Sequence, residues 1–207
     1  MPTPRFQVPL SLVVGQDRRA ASDGDLARAL GAGETWAAAE TWRRFAPMVL
    51  RLAKRTLGSA TEAEDVGQEV FARVYRSVGR LREPDSFRNF IYTCAVRVLQ
   101  NELHRRKMRA WLSFERPEVL DLQGCEGLDV EARDLLRKLY SSFDRLAPHD
   151  RIVFIMRRVE SMTIEEIAAA MKTSESSVKR SLARASTRLS RWMDDEPRLA
   201  NREKLGP

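Results

Sequence analysis

The spacing of apolar residues changes near residue 34. Upstream, Phe6, Val8, Leu10, Leu12 and Val14 alternate as a strand would, but no second strand is predicted to pair with them. Residues 1–33 are therefore expected to be a disordered N-terminal extension; the alternative is docking on a partner's sheet edge. From Glu34 the period is helical. Trp42, Phe45, Val49, Leu52 and Ala53 share a face, Pro47 is expected to kink or restart the helix, and Gly58 to end it. Thr61-x-x-Glu64 reads as a capping box opening a helix through Ala63, Val66, Val70, Phe71 and Val74, closed by Gly79. Arg80 to Asp85, with Pro84, is a loop. The longest helix, about 86–109, gives the clearest amphipathic signal: Phe87, Phe90, Ile91, Cys94, Ala95, Val98, Leu99 and Leu103 form its stripe.

Residues 113–131 differ in kind. Glu115, Glu118, Asp121, Glu126, Asp129 and Glu131 face only Arg116, and Pro117, Gly124 and Gly127 interrupt them, which predicts an acidic linker. A second set of helices follows. Ala132, Leu135, Leu136, Leu139, Phe143 and Leu146 form one stripe, ended by Pro148, and Ile152, Val153, Met156 and Val159 another. Thr163-x-x-Glu166 is a second capping box, before Ile164, Ile167, Ala168 and Met171. Ser174 caps a last helix packed through Val178, Leu182, Ala185, Leu189 and Met193. The predicted fold class is all-α: two small helical domains, 34–112 and 132–193, joined by the linker, with a tail at 194–207.

Composition agrees. The 207 residues suffice for one or two domains, and 10 Gly with 9 Pro argue against collagen, disorder and loop-rich β folds. Charged residues make up 31% and the net charge is +7, which suits long solvated helices and a polyanionic partner. Two cysteines, Cys94 and Cys125, and two histidines offer neither a disulfide framework nor metal-ligand spacing. No apolar run approaches the roughly 18 residues of a membrane span, and no cleavage pattern follows Gly15, so the chain is expected in the cytoplasm. No phosphate loop, nucleophile elbow or zinc-binding helix is present. The expectation is a protein without catalytic residues, cofactor, metal or small-molecule substrate.

Three surfaces carry the chemistry instead. The two helices at about 163–171 and 175–193 have helix-turn-helix spacing, in which the second enters the major groove. Its outward positions include Glu175, Ser176, Lys179, Arg180 and Arg184, and from Ser174 to Trp192 five basic residues stand against one acidic. Such side chains neutralise phosphates and donate to guanine. On the long helix, Arg97, Gln100, Asn101, His104 and Arg105 form a polar ridge suited to base edges and phosphates. Tyr92 and Trp111 flank it as stacking candidates for unpaired bases, while Phe87 and Phe90 fall on the core stripe. The third surface is the polar face of the Thr61 helix, with Glu62, Asp65, Gln68, Glu69 and Arg73. By spacing alone it is a solvated face; the alternative is a basic protein partner.

The motifs resemble a known family. Thr61-Glu-Ala-Glu-Asp-Val-Gly-Gln-Glu-Val-Phe71 is similar to the AEDxxQExF stretch of bacterial RNA polymerase sigma factors of the extracytoplasmic-function group, within the sigma-70 family. Phe87-Arg-Asn-Phe-Ile-Tyr92 resembles their FRxWLY segment. Thr163-Ile-Glu-Glu-Ile-Ala168 through Ser177-Val-Lys-Arg-Ser-Leu-Ala-Arg-Ala185 resembles their helix-turn-helix. The resemblance spans about 35–193 in family order. It implies a region 2 helical bundle, a region 4 helix-turn-helix, and a transcription initiation factor that recognises and melts promoter DNA.

The resemblance also implies roles. Glu64, Asp65, Gln68 and Glu69 would contact the β′ clamp helices of core polymerase, replacing the solvated reading. Arg82 to Ser86 would shape a pocket for a flipped base, and the ridge from Arg97 to Arg105, with Tyr92, would hold the minus-ten strand. Lys179, Arg180 and Arg184, with Glu175 and Ser176, would read the minus-thirty-five duplex, while region 4 touches the β flap. An anti-sigma factor is the other implied partner. The chain departs from the family at Arg97 (usually Asn), Phe90 (usually Trp), Lys172 (usually a turn Gly), Ser176-Ser177 (usually Gly-Thr) and the small Ala183. The competing reading is a helix-turn-helix regulator with an N-terminal dimerisation or sensing domain, which predicts palindromic half-sites and no polymerase complex.

Overall fold

The computed structural model describes residues 20–113 and 129–194. Among them every regular element is helical: α1 (Asp23–Gly31), α2 (Thr35–Leu57), α3 (Ala60–Ser77), α4 (Phe87–Ser113), α5 (Val130–Asp144), α6 (Pro148–Arg158), α7 (Ile164–Met171) and α8 (Glu175–Asp194). Two short 3-10 turns, Val78–Arg80 and Pro84–Ser86, connect α3 to α4. The alternating segment 6–14, most of the linker and the tail after 194 lie outside the described residues.

The first helix corrects the expected extension. Ser22 accepts a hydrogen bond from the Asp25 amide (3.0 Å), Asp23 and Asp25 occupy the first turn, and Leu26, Ala27, Ala29 and Leu30 are buried. A buried Leu is worth about 1.5–3 kcal/mol, so Leu26 and Leu30 suffice to dock two turns that propensity alone would leave frayed. Residues 23–31 thus belong to the first domain. Arg44 of α2 holds them down, donating to Ala21 O (2.8 Å) and Asp23 Oδ1 (2.9 Å).

Other boundaries shift for local reasons. α2 runs unbroken through Pro47 and stops at Gly58, whose φ of +78° closes the helix in the left-handed region. α3 is capped by Ser59, which accepts from the Glu62 amide (3.2 Å), so the box expected at Thr61 begins two residues too late. Glu62 pairs instead with Arg106 of α4. Asp129, counted as linker, is the N-cap of α5, accepting from the Ala132 amide (2.6 Å), so the second domain begins near 129.

α4 is the central element. Its expected stripe is buried, with Phe90 at the margin, but Val96, which lies off that stripe, is only 2% exposed. The helix is covered on two sides, by α2 and α3 in the first domain and by α6 and α7 in the second. An amphipathic reading of α4 therefore describes half of its environment.

The second domain packs α6 against α8 and seats α7 on both. The Thr163 capping box forms in both directions, Glu166 N to Thr163 Oγ1 (3.2 Å) and Thr163 N to Glu166 Oε2 (2.8 Å). Lys172 ends α7 with φ +53°. A non-glycine residue there costs about 1–2 kcal/mol, less the chain entropy a glycine would add. Lys172→Gly is expected to raise the unfolding free energy by about 0.5–1 kcal/mol in urea titrations. A loss of stability would show that the lysine side chain makes up for its backbone.

The two domains meet at a polar seam. Glu160, with its side chain 4% exposed, pairs with Arg51 Nε (2.9 Å) and Arg55 Nη1 (2.8 Å) of α2, and Arg55 also donates to Val159 O (2.9 Å). Lys107 Nζ donates to Leu146 O (2.7 Å), and Tyr140 donates to Arg55 O (3.3 Å) with its ring over Gly58. No periodicity in the sequence announces these long-range partners.

Candidate functional site

The acidic face of α3 exists because its other face is spent on the core. Ala63, Val66, Val70, Phe71 and Val74 are buried, which turns Glu64, Asp65 and Gln68 outward, all exposed. Glu69 is only half free: its carboxylate accepts from Arg105 Nη2 of α4 (3.2 Å). The four residues therefore form one strip, with Glu69 tied at one edge and three side chains open to a partner.

On α4 the exposed set is Arg97, Asn101, His104 and Arg105, with Gln100 half-buried. Arg105 is engaged by Glu69 and by Glu102 Oε2 (3.1 Å), so its charge is partly neutralised. Tyr92 is not on this ridge. It is half-buried, close enough to Glu160 and Glu166 of the second domain for burial, then Glu160, to raise its phenol above the usual range. Trp111, 74% exposed near the end of α4, is the freer aromatic. Phe90 is half-buried, 6.4 Å from the Phe87 ring.

The turn between α3 and α4 exposes Arg82, Glu83 and Asp85, while Ser86 is half-buried and donates to Glu83 Oε2 (3.3 Å). Both 3-10 turns pack on α1, the element absent from the expected domain.

On α8, Glu175, Ser176, Lys179 and Arg180 are exposed at the first two turns, and Lys179 reaches Glu175 at 3.7 Å. Arg184 differs. Its guanidinium is committed to Asp150 of α6, Nε to Oδ2 (3.0 Å) and Nη2 to Oδ1 (2.7 Å), and Nη2 also reaches Ser181 Oγ (2.9 Å). The Asp150 side chain is 4% exposed. Burial raises its carboxyl, but the bonds from Arg184 and Ser181, with the charge of Arg184, bring it net below the usual range. Arg184 thus serves as the counter-charge of Asp150 from the middle of α8, and no local pattern announces a partner 34 residues upstream.

Cys94 is buried, and burial pushes its thiol up, a core cysteine in the reduced form. Among the described residues no three His, Cys, Asp or Glu side chains gather as metal ligands, and no helix is long and apolar enough to cross a membrane.

Known proteins share this arrangement. Sigma-70 region 2 matches residues 41–109 and sigma-70 region 4 matches residues 136–189. The ferric citrate uptake sigma factor FecI of Escherichia coli is 32% identical over 63% of this chain and 76% of its own. RNA polymerase sigma-H factor of Pseudomonas aeruginosa is 28% identical, covering 69% and 78%. The ECF sigma factor SigM of Mycobacterium tuberculosis is 25% identical over 93% and 94%. The structure of CnrH in complex with the cytosolic domain of CnrY superposes with a TM-score of 0.62 at 19% identity, over 85% of this chain and 99% of that one, which shows a shared fold. The chain therefore belongs to the sigma-70 family of RNA polymerase sigma factors, in its extracytoplasmic-function group, and is a promoter-directing transcription initiation factor.

Proposed function

We propose that three surfaces divide the work of initiation. The strip Glu64, Asp65, Gln68 and Glu69 binds the β′ clamp helices of core polymerase. The α4 ridge (Arg97, Gln100, Asn101, His104, Arg105) and the Arg82–Ser86 turn hold the unpaired minus-ten strand, and Tyr92 joins them once the seam opens. Glu175, Ser176, Lys179 and Arg180 read the minus-thirty-five duplex, with Arg184 supporting the helix that carries them, while region 4 rests on the β flap. An anti-sigma factor is the expected inhibitory partner, the setting is the cytoplasm, and no catalytic residue or small-molecule substrate is assigned.

The observation that carries this reading is the pairing of opposite surfaces on adjacent helices of one domain. α3 exposes carboxylates that would repel phosphate, whereas α4 exposes Arg97, Asn101 and His104, which suit nucleic acid. One domain can then face protein and DNA at once. Unstacking costs a few kcal/mol per base step, and duplex binding by the second domain offsets it by raising the effective concentration of the first.

Reconstitution with core polymerase tests the proposal. The mixture is expected to initiate at specific promoters, and Lys179→Ala with Arg180→Ala to lower initiation about 10–100-fold, as expected for lost groove contacts, while sparing the polymerase complex. Initiation unaffected by that double change would remove α8 as the reader of duplex DNA.

A further inference from the structure

We infer that α1 is a positioning element for promoter selectivity: Gly24 and Arg28 fix where the Asp85 carboxylate stands, and through it which unpaired base the 82–86 turn accepts. This rests on the proposal that the turn forms the base pocket.

The geometry begins at α1. The helix lies along both 3-10 turns and touches them at its two ends. At its start, a Cβ built on Gly24 would overlap Asp85 Oδ1, and the Asp85 backbone nitrogen would be 3.6 Å from it. At its end, a Cβ on Gly31 would stand 3.8 Å from Gly79 Cα. Arg28 donates through Nη1 to Asp25 Oδ1 (2.8 Å), which aims its Nη2 to within 4.0 Å of Asp85 Oδ1, a charge contact without a hydrogen bond. α1 is itself anchored: Arg44, salt-bridged to Glu40 (3.0 Å), holds Ala21 O and Asp23, and Arg88 Nε of α4 lies 3.7 Å from Asp23 Oδ2. The turn is thus referenced to the core of the first domain through a helix of nine residues.

The chemistry follows from exposure. The Asp85 side chain is 88% exposed and Arg28 57%, so their pair contributes little to stability. What the missing side chain at Gly24 does is leave room for an acceptor at that one place on an open turn, with the charge of Arg28 near it. An ionised carboxylate accepts and does not donate, so it favours a base whose edge carries an exocyclic amino group, as adenine, cytosine and guanine do, over thymine, which offers a single ring N–H and no amino group. Gly24 matters because any side chain there takes the space the carboxylate occupies.

Gly24→Ala is a clean probe, since alanine strengthens a helix relative to glycine and α1 should stay folded. The measurement is initiation by the reconstituted holoenzyme on a set of promoters varying only the unpaired upstream base. The wild-type chain is expected to prefer an amino-bearing base over thymine. Gly24→Ala should cut that ratio about fivefold, the equivalent of one net hydrogen bond. Asp85→Ala should do the same, and Gly24→Ala should add nothing in the Asp85→Ala background. Polymerase association and duplex binding should be unchanged throughout. No wild-type preference, an unchanged ratio in Gly24→Ala, or an equal effect of Gly24→Ala in both backgrounds would each overturn the inference. A wild-type chain that forms no productive complex with polymerase would instead overturn the proposed function, and this with it.

Discussion

Exchanging Asp65 and Gln68 together for lysine is expected to weaken association with core polymerase at least about 100-fold, because like charges brought together at a docked interface cost several kcal/mol. Both side chains are exposed on α3, whose opposite face carries the buried Val66, Val70 and Phe71. The change therefore leaves the fold alone, and thermal unfolding should shift by no more than about 0.5 kcal/mol. Glu69 is a weaker probe, because its loss would also release Arg105. Association is read by sedimentation or by fluorescence anisotropy of labelled protein, with binding of minus-thirty-five duplex as the control. If the doubly substituted chain binds polymerase as the wild type does, the strip on α3 is a solvated face and the clamp contact lies elsewhere.

The second large effect concerns Arg184. Arg184→Ala leaves Asp150 almost fully buried and stripped of both guanidinium bonds. Ser181 and His149 remain beside the carboxylate and Arg184 is itself exposed, so the loss is well below that of a fully buried pair, yet it falls on a carboxylate almost out of solvent. Because the folded-state carboxyl of Asp150 is depressed, its contribution is present above the unfolded value near 3.9 and disappears as pH falls through the folded one. The wild type should therefore be the more stable of the two at pH 7, and the two should converge in acid, where a protonated Asp150 no longer needs its partner. Chemical denaturation across pH measures this. A difference that stays constant through the whole acid limb, up to the unfolding of both chains, would mean that the loss comes from packing rather than from charge.

The same residue shows what the sequence could and could not convey. α7 and α8 were legible because their signals are local: the Thr163 box, Ser174 before the last helix, and apolar residues three and four apart. Ser59 in place of Thr61 is an error of the same local kind, between two hydroxyl residues two positions apart, each with a glutamate three residues on. α1 escaped because Leu26 and Leu30 are its only large apolar residues, and its burial comes from tertiary contact. The pairing of Arg184 and the burial of Val96 went unread for a third reason. Arg184 looked like one more outward cation on a basic helix, and Val96 fell off the stripe, because their partners, Asp150 for one and a second covering layer for the other, are set by the topology. The acidic residues of α3 gained meaning only from resemblance, since spacing alone does not separate a docking strip from a solvated one.

At Gly58 two otherwise independent demands fall on a single position. Its backbone has the handedness that glycine tolerates at least cost, and a methyl group there would stand 2.7 Å from the Tyr140 ring of the other domain. A replacement would strain the end of α2 and displace the aromatic ring at one stroke. The stop signal of one helix is thus also a hinge plate between domains, and drift at this site is doubly penalised: no substitution can relax one demand while respecting the other.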